Sequence, residues 1–362
     1  MPPVDHFADH FAAAERVLNE AVADRAFPGA AYGVLADGAT ATGAVGRFIY
    51  EDESRIVLPH TVFDVASVTK VVATTAMAML LFERKLLSLD ERISNILPEF
   101  AAAEPPDSPK RDVTVRMLLA HSSGLPGWAP LYQTCEDRES LLRACYAMPL
   151  AHRPMAAAEY SDIGFILLGE ALARLAGEPL NAFCARELFS RLNMAQTQFL
   201  PAREMRDEIP PTELDLAFRR RVVQGEVQDE NCWVMGGVAG HAGLFSTVPD
   251  LLRFAQCMLG TAQSLLLPTT VELFTMREAN PPQTSRALGW DTPSPEGSSS
   301  GRLFSPHSAG HLGYAGTSLW IDFERRVAVV LLTNRCWPSR ENNAIRTVRP
   351  QFHDAVMSAL RS

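Results

Sequence analysis

Residues 71–82 read Val-Val-Ala-Thr-Thr-Ala-Met-Ala-Met-Leu-Leu-Phe, with no charged side chain among them. A helix with that composition cannot keep one face in water, so it must be buried nearly all round. Such a helix needs a core large enough to surround it. A chain of 362 residues supplies one, as one large domain or two intimately packed ones. Immediately ahead of the run stands Ser67-Val68-Thr69-Lys70. Residues at i and i+3 of a helix leave along one edge, roughly 60° apart, so the Ser67 hydroxyl and the Lys70 amine are neighbours. A serine alcohol is a poor nucleophile until its proton is taken. A lysine held in apolar surroundings can take it, because desolvation disfavours the ammonium form. By itself the tetrad also fits a capped helix start with a solvated lysine. The apolar run behind it tells against that, since lysines are seldom left in a core without a purpose.

Composition narrows the partners. The apolar fraction of 47% and charged fraction of 21% are those of an ordinary globular protein. A net charge of -9 argues against nucleic acid or an anionic membrane as partner, and Arg219-Arg220-Arg221 is too short to reverse it. The six cysteines show no C-x-x-C pair, and no histidines cluster at metal spacing, so neither metal nor cofactor is expected. They read as buried small hydrophobes in a reducing compartment. The first residues lack a basic start and an apolar h-region, and no stretch approaches a membrane span. The expectation is a cytoplasmic protein that acts on a small molecule, although a removed export signal would leave the same sequence. The oligomeric state is left open.

Along the chain, residues 5–23 have helical periodicity. Residues 29–36 and 40–46 flank Asp37-Gly38 as a hairpin. Leu87-Ser88-Leu89-Asp90 reads as a capped helix restart, and residues 163–175 as an apolar helix ending at Gly177. Residues 231–243 are Gly-rich. Ser246-Thr247-Val248-Pro249-Asp250 caps a helix to about Leu259. Residues 281–305 read as loops around one short strand near Leu288-Gly289-Trp290. Residues 316–322 and 326–334 form a hairpin about Phe323-Glu324-Arg325, and a last helix has Pro350 in its first turn. Strands at both ends with helices between them predict an α+β fold. Its sheet domain comprises residues 1–75 and 240–362, its mostly helical domain residues 76–239, and the active site lies at their junction.

Two further motifs join the tetrad. Tyr160-Ser161-Asp162 precedes the helix at Ile163, and His311-Leu312-Gly313 leads into the first strand of the C-terminal hairpin. With these the chain resembles the serine β-lactamase and penicillin-binding superfamily, most of all class C β-lactamases, related D-alanyl-D-alanine peptidases and carboxylesterases on that scaffold. The family carries S-x-x-K, a Y-x-N triplet and a K-T-G or H-x-G triplet in this order. The resemblance extends to residues 118–126 and 236–246, and so spans nearly the whole chain. It implies an antiparallel sheet of N- and C-terminal strands flanked by helices. It also implies that Ser67 forms an acyl-enzyme, Lys70 helps remove the Ser67 proton, and Tyr160, as phenolate or proton relay, protonates the leaving group. The oxyanion would be received by the Ser67 N–H and by that of Tyr314 or Ala315. Gly313 would allow close approach of substrate. His241, in His241-Ala242-Gly243, competes with His311 for the third triplet; it ranks lower because a capped helix, not a strand, follows it. His121 reads as a loop-fixing residue.

The departures shape the functional expectation. Asp162 stands where the family has Asn; a carboxylate there stabilises the Lys70 ammonium if it reaches it, and cannot donate an amide hydrogen bond to a penicillin side chain. His311 replaces a permanent cation, and Leu312 replaces threonine. Both changes weaken β-lactam recognition more than ester cleavage. The expected function is therefore a serine hydrolase of small carboxylic esters. A β-lactamase or D-alanyl-D-alanine-type peptidase is the alternative, and a non-catalytic binding or sensing module the third reading. The substrate-binding residues would be Asp162, His311, Gly313, Tyr314 and Ala315.

Overall fold

The computed structural model describes residues 8–262 and 265–361. In chain order the strands are Gly29–Ala36 (β1), Ala39–Gly46 (β2), Phe63–Asp64 (β3), Gln198–Phe199 (β4), Glu213–Asp215 (β5), Arg221–Val223 (β6), Leu244–Ser246 (β7), Ser308–Leu312 (β8), Ser318–Asp322 (β9) and Val327–Thr333 (β10). The longer helices are Ala12–Ala23 (α1), Ala66–Glu83 (α2), Arg138–Ala147 (α3), Asp162–Ala176 (α4), Val248–Leu259 (α5) and Ile345–Ala359 (α6).

The two ends of the chain meet in one antiparallel sheet of order β2-β1-β10-β9-β8. Alternation along its central strands explains why it must be covered on both faces. In β10, Ala328, Val330 and Leu332 enter the core shared with α2 and α4, while Val327, Val329 and Leu331 enter the one beneath α1 and α6. β1 divides in the same way, with Ala31 and Leu35 on the first face and Ala30, Tyr32, Val34 and Ala36 on the second. Small sheets, β3-β7-β4 and β5-β6, lie outside this one.

Several expectations needed correction. The first helix begins as a 3-10 turn at Ala8; residues 5–7 of the expected span lie outside the described residues. α2 is longer than its charge-free run. By length and composition it could cross a membrane, yet 83% of its apolar window is buried inside the fold. It is not regular either: a 3-10 turn at Ala66–Val68 passes into a π-helical segment at Lys70–Thr75 before α-helix begins at Ala76. The helix expected to restart at Ser88 begins at Ile93, held by the bridge between Arg92 and Thr114. Within the Gly-rich stretch, Glu230–Val234 is helical, capped by Asp229. The predicted strand at Leu288-Gly289-Trp290 is a turn, closed by the Ala287 N–H to the Trp290 carbonyl at 2.9 Å. His311 does not lead into the hairpin's first strand but sits inside a further edge strand, β8, opposite Leu319. Pro350 lies well inside α6, not in its first turn.

Candidate active site

The serine owes its position to what precedes it. Ala66 has φ +49°, a conformation an alanine rarely adopts. The Asp64 carboxylate holds it there, accepting from the Ala66 N–H at 2.8 Å and from the Gln228 N–H at 2.8 Å. Burial pushes Asp64 up to about 6 despite those two donors. In the wholly buried run that follows, Ser67 alone keeps some exposure, and it lines a cleft of about 680 Å³ with Trp128, Tyr160, Asp162, Gly313 and Tyr314.

Lys70, fully buried, meets three acceptors: Ser67 Oγ at 3.1 Å, Asp162 Oδ1 at 2.6 Å and the His241 carbonyl at 3.0 Å. Three acceptors around one Nζ use all three protons of an ammonium and leave no lone pair. Burial pushes the Lys70 ammonium toward deprotonation, but the Asp162 and Tyr160 oxygens outweigh it and leave Lys70 above the usual lysine range. The desolvated base that the tetrad suggests is, at rest, a cation. Its Nζ stands 4.8 Å from the centre of the Tyr160 ring. Burial and the Asp162 charge push the Tyr160 hydroxyl up to about 12, although the nearby Lys70 charge and Ser67 favour its ionised form. Tyr160 is therefore a phenol at rest.

The triplet loop is built onto a helix start. Ser161 caps α4, its Oγ accepting from the Gly164 N–H at 2.9 Å and donating to the Pro126 carbonyl at 2.7 Å. Asp162 follows in the first turn, where the helix dipole favours a carboxylate. His121 does fix a loop, and the loop is this one. Its Nδ1 accepts from the Ser161 N–H at 3.0 Å, and its ring lies between those of Tyr160 and Phe165.

The third triplet is placed differently from expectation. Gly313 and Tyr314 line the cleft; His311 and Ala315 do not, and both are buried. The His311 Nδ1–H donates to the Leu312 carbonyl at 2.7 Å, and its ring stands 5.9 Å from that of Tyr160. Burial, then the charge of Lys70, pushes it down to about 3, so it is a neutral imidazole behind Tyr160. The fold itself requires Gly313. A Cβ there would lie 1.9 Å from Thr317 Oγ1 and 2.5 Å from the Val65 carbonyl. That contact locks the 313–317 turn to the segment ahead of Ser67, with Thr317 Oγ1 donating to Val65 at 2.9 Å. Among the described residues, neither the Ser67 N–H nor the Tyr314 N–H has an acceptor.

His241 stands on the inner side of Lys70, its ring bonded to Asp229 at 2.9 Å. A short strand, β7, follows it before the helix, contrary to expectation. Sequence reasoning missed Asp64, Asp229 and the arginines of the cleft wall, Arg335, Arg340, Arg346 and Arg349. None belongs to a short motif, and each reaches the site through contacts remote in sequence. Among the described residues no group of His, Cys, Asp and Glu could hold a metal ion, and the six cysteines are buried, with no disulfide between them.

Comparison with known proteins places this geometry. The family described as Beta-lactamase matches residues 14–349. An N-acetylmuramyl-L-alanine amidase of Bacillus subtilis (strain 168) is 32% identical over 350 residues, covering 85% of this chain and 77% of the relative. A putative D-alanyl-D-alanine carboxypeptidase of Escherichia coli (strain K12) is 32% identical over 308 residues, covering 76% and 69%. Among solved structures, EstCE1, described as a hydrolase with promiscuous acyltransferase activity, superposes with a TM-score of 0.78. It is 21% identical, with 97% of this chain and 99% of that one covered, a likeness of fold.

Proposed function

The chain belongs to the Beta-lactamase family of serine hydrolases, and from that premise we propose that it acylates Ser67 and hydrolyses small carboxylic esters. One observation carries this reading. The Lys70 ammonium donates to Ser67 Oγ at 3.1 Å while the unpartnered N–H groups of Ser67 and Tyr314 stand at the same cleft. With Lys70 protonated and Tyr160 a phenol, the pair must lose one proton before it can take another from Ser67. Ser67 Oγ then adds to the ester carbonyl, its proton passes to the pair, and the two N–H groups receive the oxyanion. The pair returns that proton to the leaving alcohol, and water repeats the sequence on the acyl-enzyme.

Ester specificity is supported by what the cleft lacks. Asp162 has no amide hydrogen to offer a β-lactam side chain, and His311 is a neutral ring set back from the cleft. A second reading, a D-alanyl peptidase, is favoured by Arg346. This exposed arginine on the cleft wall makes no ion pair among the described residues and would suit a substrate carboxylate. The name of the carboxypeptidase relative points the same way. A third reading, binding without turnover, would leave Ser67 unlabelled by a fluorophosphonate. The deciding experiment compares p-nitrophenyl butyrate, a chromogenic cephalosporin and a D-alanyl-D-alanine peptide, with Ser67→Ala as control. Ester turnover should dominate and fall at least about a thousandfold in Ser67→Ala. Dominant peptide or cephalosporin turnover would replace the ester reading, and undiminished activity in Ser67→Ala would end the mechanism.

A further inference from the structure

Arg349 is a buried cation with no acid to answer it. Among the described residues no carboxylate pairs with it; its partners are three backbone carbonyls of a single turn. Nη2 donates to Gly313 at 2.6 Å and to Thr317 at 3.0 Å, and Nε donates to Gly316 at 3.2 Å. Burying a guanidinium without a counter-charge is costly, and a fold that needed only an anchor for α6 could use an apolar side chain. Burial, then Arg335, pushes Arg349 down to about 9, which still leaves it charged at neutral pH.

The identity of the carbonyls explains the placement. Gly313 C=O and Tyr314 N–H are the two ends of one peptide unit, and such a unit is planar. Fixing its carbonyl toward Arg349 therefore fixes the direction of its N–H on the opposite side. The Gly313 carbonyl also accepts from the Gly316 N–H at 3.1 Å, so two donors draw electron density toward its oxygen. Hydrogen bonds through a shared group strengthen one another, and a charged donor does so most. The next peptide is pinned too, as Arg335 Nε donates to the Tyr314 carbonyl at 2.7 Å. We infer that Arg349 is a positioning residue for the oxyanion site: by clamping the Gly313 carbonyl it aims the Tyr314 N–H into the cleft and makes it a stronger donor. This rests on the reading of Ser67 as an acylated nucleophile.

The test uses the full-length protein, its Arg349→Gln and Arg349→Lys variants, and an arylboronic acid. Ser67 Oγ would add to the boron of that inhibitor and place a tetrahedral oxygen where the oxyanion develops. Thermal melting reports folding, ester kinetics separate kcat from KM, and the boronic acid reports the oxyanion site. Arg349→Gln should lower kcat about 10- to 100-fold with little change in KM, and weaken the boronic acid by a similar factor. Arg349→Lys, which keeps a charge but not the fork, should fall between Arg349→Gln and the wild type. A folded Arg349→Gln with full boronate affinity overturns the inference, and so does a fall in kcat that leaves boronate affinity untouched. If Arg349→Gln does not fold, Arg349→Lys decides alone: boronate affinity equal to wild type overturns the inference, and a several-fold loss supports it. Wild-type protein left unlabelled by a fluorophosphonate would overturn the acyl-enzyme reading and this inference together. Labelled wild type with indifferent Arg349 variants would overturn this inference alone.

Discussion

Lys70 and Asp162, 2.6 Å apart, set the protonation of the site. The Asp162 charge counters the desolvation of Lys70 and adds to the burial that holds Tyr160 up to about 12. The active form has one proton fewer than the resting pair, and below its pKa that form grows tenfold per pH unit. Ester kcat/KM should therefore climb between about pH 6 and about pH 9 with no plateau near neutrality. Asp162→Asn removes the negative charge that favours both protonated forms, so its profile should rise at lower pH. An unmoved profile would refute the coupling. Ser67, Lys70, Tyr160 and Asp162 were legible because each lies in a short motif on a helix start, where neighbours in sequence are neighbours in space. The sequence could pose the question of Asp162 but not answer it, since whether the carboxylate reaches Nζ depends on how α4 docks against α2. His311 was misread for the same reason: its burial behind Tyr160 comes from the register of β8 on β9, which the triplet does not encode.

At the scale of elements, the inner side of the site is a crossing of α4 over the loop at Gly240. A Cβ on Gly169 would lie 2.8 Å from Gly240 Cα, and the Gly240 carbonyl accepts from Thr74 Oγ1 of α2 at 2.7 Å. The following residue, His241, gives Lys70 its third acceptor. Gly169→Ala should push this loop away from Lys70, lowering stability by about 1–3 kcal/mol as overpacking does. Melting and ester kinetics on the folded variant would both register the change, and an unaltered Tm would show that the crossing has slack. The elements themselves were mostly readable, because period-2 and helical patterns and end signals such as Gly177 and Thr247 are local. The π-helical segment of α2, Pro350 inside α6 and the extra strand β8 were not. β8 exists by pairing with β9, and the wide turn of α2 lies in a fully buried setting.

Across the whole molecule, burial of titratable groups makes the fold sensitive to acid. Burial pushes His311 and His353 down to about 3 and His121 well below the usual histidine range. A histidine with a depressed folded pKa gives its full stability above about pH 6.5 and loses it as pH falls, by about 1.4 kcal/mol per unit. Asp64, raised to about 6, has the opposite sign and offsets roughly one of the three. Tm should therefore drop between about pH 6.5 and about pH 4, as a thermal-melt series would read; a flat or rising Tm would mean that those rings take protons without cost. The sequence by itself determined the α+β class, the sheet made from both ends of the chain, and the S-x-x-K tetrad with the family it points to. Those rest on local periodicity and on residues within one helical turn of one another. Only the tertiary structure decided that Lys70 is held as an ammonium, that His311 stands behind the site, and that an arginine from the last helix grips the turn bearing Tyr314. Each of those outcomes depends on groups far apart in sequence, through strand register or through an electrostatic balance whose strength burial sets, and both exist only once the chain has folded.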